Sequence, residues 1–158
     1  MSVETIVDET DADAAEMVVT RLGLSALHPT ARILGFRDRD GIRGAFYFER
    51  YTGPGGSIHA HWVGRDRHWL KGYMLTLAFM YVYDQLGCEI IYGEVKSKSV
   101  ATRIIDEKLG FREVARLEGY YPGDDLILYA LRKQDCIWLP DEFKEETPDG
   151  EGRRAAGA

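Results

Sequence analysis

Residues Ser97–Phe111 read SKSVATRIIDEKLGF, a short helix-forming segment set between two apolar runs. Ser99 is a good N-cap, because its hydroxyl can accept an orphan backbone N–H of the first turn. Val100, Ala101, Ile104, Ile105 and Leu109 fall at helical spacing on one face, which should therefore be the buried one. Arg103, Asp106, Glu107 and Lys108 lie mostly on the other face. Gly110 supplies the left-handed position that stops the helix, and Phe111 re-enters as a strand. The stretch predicts a strand–helix–strand unit, with strands on either side of a helix running parallel through right-handed crossovers.

Working upstream, Cys88–Val95 is nearly continuously apolar and reads as a buried strand. Asp66–Leu86 carries Leu70, Met74, Leu77, Ala78, Tyr81, Val82 and Leu86 at a period of 3.6, which predicts the longest helix. A second stripe on it, Trp69, Tyr73, Met80 and Tyr83, either packs within the same fold or forms a homodimer contact. Ser57–Val63 alternates Ile58, Ala60 and Trp62 against His59 and His61, as a strand does. Ala31–Arg37 and Ile42–Tyr51 are strand-like runs joined by Asp38-Arg39-Asp40-Gly41, a hairpin signal. Val3–Val7 is a further short strand, followed by a helix capped by Asp11 or Asp13 and ended by Gly23. Downstream, Phe111–Leu117 and Asp125–Arg132 are the last strands. The expected order is β, α, a three-strand meander, α, β, α, β, β.

At 158 residues the chain has room for one core, and its 45% hydrophobic content excludes a mainly disordered protein. The net charge of −6 is uneven: six acids against three bases after Pro140 place −3 in the last eighteen residues. Residues 1–139 read as a single domain and 140–158 as a polar, disordered tail. No basic patch points to nucleic acid. The apolar run Tyr73–Leu86 is too short for a bilayer, so no membrane partner is expected. Cys88 and Cys136 lack metal-ligand spacing and read as reduced thiols of a cytoplasmic protein.

The segment Ser99-x-x-Thr102-…-Glu107-Lys108-Leu109-Gly110-Phe111 resembles the late motif of the GNAT superfamily of acyl-CoA-dependent N-acetyltransferases, Asn-x-x-Ala/Ser-…-Glu-Lys-Leu-Gly-Phe. Ser99 stands where the family usually has Asn, and Thr102 where it has Ala or Ser. The strand order agrees over roughly residues 1–139, and Tyr129–Leu139 also resembles the close of small GNAT proteins common in bacteriophage genomes. The resemblance implies a mixed α/β three-layer fold, with a mainly antiparallel sheet splayed between its fourth and fifth strands. It also implies acetyl-CoA as acyl donor. In the family a Gln/Arg-x-x-Gly-x-Gly/Ala turn cradles the pyrophosphate on backbone N–H groups at a helix N-terminus. The matching stretch here is Arg67-His68-Trp69-Leu70-Lys71-Gly72, with Leu70 in the first glycine position. Leu70 is compatible with that position if the helix already runs there. Arg65, Arg67, His68 and Lys71 add positive charge around it. The resemblance further implies that Trp62, Val63 and Gly64 offer backbone to the pantetheine arm, and that Ser99 substitutes for the asparagine.

Acetyl transfer to an amine needs a neutral amine and a proton source for the departing thiolate. His59 and His61 share one strand face, histidine as a residue type suits a general base, and Glu49 is a second candidate or an orienting group. Structural histidines on a half-buried strand are the competing reading. His-x-His also suggests a metal, but no third ligand stands at recognisable spacing, and none is expected. The family's usual acid, a tyrosine seven residues after the asparagine, corresponds to Asp106, a poor donor at neutral pH unless strongly perturbed. Tyr120 or Tyr121 is the substitute, or else the enzyme relies on positioning and solvent. The resemblance places the amine acceptor between Leu22–Pro29 and Glu118–Asp125, where Glu118, Asp124 and Asp125 favour a cation. An amine acetyltransferase, an inactive acyl-CoA-binding or interaction module of the same fold, and an unrelated α/β domain are the three functions in view.

Overall fold

Period-two alternation in the N-terminal half produces a meander, and the computed structural model describes residues 4–144 of the chain. The elements are β1 (Thr5–Val7), α1 (Ala12–Leu22), β2 (Arg32–Asp38), β3 (Gly41–Glu49), β4 (Ser57–Gly64), α2 (Gly72–Met80), β5 (Ile90–Lys96), α3 (Val100–Leu109), β6 (Arg112–Tyr121) and β7 (Asp124–Arg132). They form one seven-stranded sheet in the order β1-β2-β3-β4-β5-β7-β6. Every pair is antiparallel except β4–β5. That parallel pair is joined through α2, as a crossover requires. No helix among the described residues is long and apolar enough to cross a membrane.

Each sheet face has its own core. Ile58, Ala60, Ile91, Val95 and Ile127 pack with Met74, Phe79 and Val82 of the α2 region. Ile33, Ala45, Tyr47 and Val63 pack with Ala14 and Val18 of α1 on the opposite face. Asp11 caps α1: its Oδ1 accepts from Ala14 N–H at 3.0 Å, and both its oxygens hold Arg37 at 2.8 and 2.9 Å. Arg37 keeps this carboxyl below its ordinary pKa range. Asp11→Ala is expected to lower stability by about 1–2 kcal/mol in urea unfolding, the usual worth of a cap.

Three expectations need correction, and one open alternative is decided. The long helix does not begin at Asp66: α2 starts at Gly72 with Lys71 as its N-cap, and Tyr81–Gln85 continue it as a π-helical turn. The second stripe is consumed internally, since Trp69 and Tyr83 are buried, Met80 packs against the core, and Tyr73 alone is exposed. The Tyr83 hydroxyl donates to Leu131 C=O and ties this helix to β7. Ser99 does precede α3, but its hydroxyl makes no capping bond. Most consequentially, α3 is rotated from its expected orientation. Val100, Ile104 and Ile105 are exposed, and the buried residues are Asp106 and Leu109. The expected tail is described only to Lys144, with a 3-10 turn at Asp141–Phe143, and its remainder lies outside the described residues.

Candidate active site

Strands β4 and β5 pair only from Ser57↔Ile90 to His59↔Tyr92, although β4 continues to Gly64 and β5 to Lys96. Past His59 the sheet opens, and a cleft of about 600 Å³ runs through the gap. The α2/α3 face contributes Ala60, Trp62, Gly93, Ser99, Thr102 and Asp106 to its walls. From the α1 face come Tyr47, Glu49, His61 and Glu94, bordered by Leu22 and Leu24 after α1 and by Tyr121 of β6. A smaller cleft of about 370 Å³, at the β1–β2 edge, holds no histidine and is crossed by the Glu9–Arg32 ion pair at 3.0 Å.

Alternation on β4 sends His59 and His61 to the α1 face, where each meets a carboxylate of a neighbouring strand. His61 Nε2 lies 3.1 Å from Glu49 Oε1, and its ring packs on Tyr47 at 5.9 Å between centroids. His59 Nδ1 lies 2.9 Å from Glu94 Oε1 in an orientation that makes no hydrogen bond, so this contact is charge pairing when the ring is protonated. Arg50 adds its guanidinium to Glu94 at 2.6 Å, with its own backbone left-handed at φ 58°. The adjacent His59 ring, and then the Arg50 charge, hold the Glu94 carboxyl below its ordinary pKa. His61 lines the cleft and His59 stands behind it.

On the other face Asp106 is 1% exposed, and its Oδ1 has no hydrogen-bond partner. Its Oδ2 faces the bare α-carbon of Gly93, where an added Cβ would stand 3.9 Å away. Burial, with the charge of Glu107, raises the Asp106 pKa from 3.8 to about 7. The nearest cation on its own helix does not neutralise it, because Arg103 is directed to Ser97 C=O and the Tyr129 hydroxyl. Gly93 and Asp106 therefore stand side by side in the cleft wall, with a carboxyl oxygen that the fold has not satisfied.

The stretch 65–71 is a strap, not a helix. Trp69 closes it: a Cβ on either of the cross-strand partners Gly44 and Gly64 would overlap the Trp69 ring. Arg43 Nε donates to Trp69 C=O at 3.1 Å, and Arg65 makes a twofold contact with Asp38 at 3.0 and 2.9 Å. Arg65 holds the Asp38 carboxyl at a pKa of about 2. Leu70 thus lies outside any helix, and the condition that the helix already runs there is not met. Arg67, His68, Lys71 and Gly72 are exposed around the start of α2, whose first N–H groups have no intrahelical acceptor.

No family model matches the chain, and no curated protein matches it in sequence. Solved structures do match. A candidate acetyltransferase of the GNAT family from Desulfovibrio desulfuricans superposes with a TM-score of 0.62 at 18% identity, over 82% of this chain and 99% of that one. A candidate acetyltransferase from Salmonella typhimurium, solved with its cofactor acetyl-CoA, gives 0.61 at 15% identity over 83% and 93%. The dodecameric spermidine N-acetyltransferase of Vibrio cholerae gives 0.57 at 16% identity over 67% of each chain. The fold is GNAT-like. The chain spans 65% of the length of a GNAT-family acetyltransferase from Bacillus anthracis. None of these likenesses supports the phage-type branch, and at such identities the likeness carries the fold alone.

In this GNAT-like frame the cleft gathers His61, Glu49, Trp62 and Ser99. His59, Val63, Gly64, Arg67, His68, Leu70, Lys71 and Gly72 do not line it. Val63 is buried in the α1-side core, and Gly64 lies under Trp69. The expected acceptor loop Glu118–Asp125 is largely a hairpin. Asp124 accepts from Ser97 Oγ and Asp125 from Gly119 N–H, so their charge is engaged locally. Of the two tyrosines only Tyr121 lines the cleft, with Lys96 Nζ 5.1 Å from its ring centroid on the α1 side. Glu94 and the buried state of Asp106 were missed by sequence reasoning. The period-two position of Glu94 relative to Tyr92 was the available signal for the first; nothing local signalled the second.

Proposed function

We propose that the protein is an N-acetyltransferase moving an acetyl group from acetyl-CoA to a primary amine, by direct attack in a ternary complex. The opening of the sheet between β4 and β5 carries this reading, because it gives donor and acceptor separate approaches to one point. The unpaired β4 backbone around Trp62–Gly64 and the Ser99 hydroxyl would hold the pantetheine arm. The first N–H groups of α2, with Arg67, His68 and Lys71, would hold the phosphates. Acetyl-CoA supplies the activated thioester. His61 takes the amine proton at one ring nitrogen while Glu49 orients the ring, and His59 and Arg50 fix Glu94. Glu49 and Glu94 attract the cationic form of the acceptor, which is a protein N-terminus, a lysine or a small amine.

Calorimetric titration with acetyl-CoA, followed by an amine-acceptor screen, tests this. Binding without turnover on any amine would leave the inactive module of the same fold as the reading. Once an acceptor is found, His61→Ala is expected to lower kcat/KM about 100-fold, the lower range for a lost general base. Glu49→Gln should lower it less, with acetyl-CoA affinity kept. Unchanged turnover in both variants would remove the base assignment.

A further inference from the structure

The charges that line the acceptor side of the cleft do not balance. Arg50 is matched to Glu94 at 2.6 Å, and Glu49 faces His61 at 3.1 Å. Arg21, in the last turn of α1, and Lys96, at the end of β5, line the same cleft. Both are exposed, and neither has an ion-pair partner among the described residues. The loop acids expected to favour a cationic acceptor are engaged elsewhere, Asp124 by Ser97 Oγ and Lys98 N–H, Asp125 by Gly119 N–H. The charges left for a ligand are therefore positive, two strand positions from carboxylates that suit an ammonium. On the acetyltransferase reading, on which this rests, we propose that Arg21 and Lys96 bind an anionic group of the acceptor, so that the acceptor is an amine that also carries a carboxylate.

Neither cation is required by the fold. An arginine in the last turn of a helix can serve the open carbonyls there, but α1 is closed without it. Gly23 N–H and Leu24 N–H both donate to Val19 C=O. The Lys96 ammonium lies 5.1 Å from the Tyr121 ring centroid, a contact it can keep while its other N–H donors take a carboxylate. Lys96 stands two residues beyond Glu94 on the same face of β5, about 7 Å further along the strand. An acceptor whose nitrogen lies between His61 and Glu94 thus meets a cation at its other end. Arg21 reaches that end from the helix, beside Leu22 and Leu24, and its planar fork suits a carboxylate. A diamine would bring a second positive charge against these two and be disfavoured. A free amino acid and a peptide with an acidic first residue share the required chemistry.

The test uses the full chain with acetyl-CoA and measures kcat/KM for the common amino acids, their carboxamides, aliphatic diamines, and short peptides beginning with Asp or Glu. Carboxylate-bearing acceptors are expected to exceed their neutral counterparts by about tenfold or more, chiefly through KM. Turnover of amino acids or of peptides tells the two sources apart. In Arg21→Gln combined with Lys96→Gln the ratio of carboxylate to carboxamide turnover should fall about tenfold, toward one. A merely structural role would lower both acceptors alike and leave the ratio where it was, which overturns the proposal. A wild type that prefers the diamine or the carboxamide overturns it too. Binding is read separately, by calorimetric titration of the coenzyme A complex with N-acetyl amino acids and with their carboxamides. A wild type silent on every amine overturns the acetyltransferase reading. The anion site is then decided by that titration: carboxylate-dependent binding lost in the double variant supports it, and equal binding of acid and carboxamide removes it.

Discussion

Asp106→Asn is expected to be more stable than the wild type at pH 8, by about 1–3 kcal/mol, and less stable than it, by about 1–2 kcal/mol, near pH 4. The carboxyl has a folded-state pKa of about 7 against an ordinary value of 3.8. A raised acid pKa means that the folded state binds the proton more tightly than the unfolded one. Between pH 4 and 7 the folded protein therefore carries a proton that the unfolded chain has released, and stability falls as pH rises. About three pH units at ~1.4 kcal/mol each make the full penalty on the order of 4 kcal/mol above pH 7. Asparagine removes the charge but leaves an amide in the same unsatisfied place, which returns about 1–3 kcal/mol of that gain. Other carboxylates, such as Asp38 and Glu94, have lowered pKa values and lose stability as pH falls. They are common to both proteins and cancel in the difference. Urea unfolding of the pair at pH 4, 6 and 8 measures it, and parallel curves would mean that Asp106 is ionised and solvated.

The same residue shows where the sequence could and could not be read. The strand–helix–strand unit at Ser97–Phe111, the meander and the hairpin at Asp38–Gly41 were legible because each follows from local spacing and turn chemistry. Facing was not legible. The amphipathic pattern of α3 predicted that Val100, Ile104 and Ile105 turn inward, but the buried residues are Asp106 and Leu109, with Arg103 half-buried and the exposed Thr102 at the cleft wall. Hydrophobic periodicity tells which side of a helix prefers a core, and α3 presents one of its sides to a cleft instead. The polar residues are on that side because the cleft takes polar groups. The β4–β5 opening was expected only from the family resemblance, since no pattern within either strand marks where its ladder stops. Long-range pairing likewise hid the His61–Glu49 contact until the β3–β4 register placed Tyr47 opposite His61 and Glu49 opposite His59.

Trp69→Ala is expected to cost about 3–5 kcal/mol in unfolding free energy, the range for emptying a buried aromatic site. Trp69 is 6% exposed and stacks at a tilt on Phe46, with ring centroids 5.5 Å apart. Its ring occupies the space left by Gly44 and Gly64, which pair across β3 and β4, so neither strand has a side chain that can fill the hole. The strap 65–71 would keep the Arg65–Asp38 and Arg43–Trp69 carbonyl contacts but lose its only buried anchor. The N-terminus of α2 is set by that strap. The variant should therefore weaken acetyl-CoA binding as well as stability, if the start of α2 holds the phosphates as proposed. Gly64→Ala is the converse test, because it keeps the tryptophan and forces it out of its seat. Both substitutions should lower stability in urea titrations and raise the calorimetric Kd for acetyl-CoA together. A Trp69→Ala protein that unfolds like the wild type would mean the strap is held by its ion pairs alone. One that unfolds early but binds with unchanged Kd would separate the strap from the phosphate site.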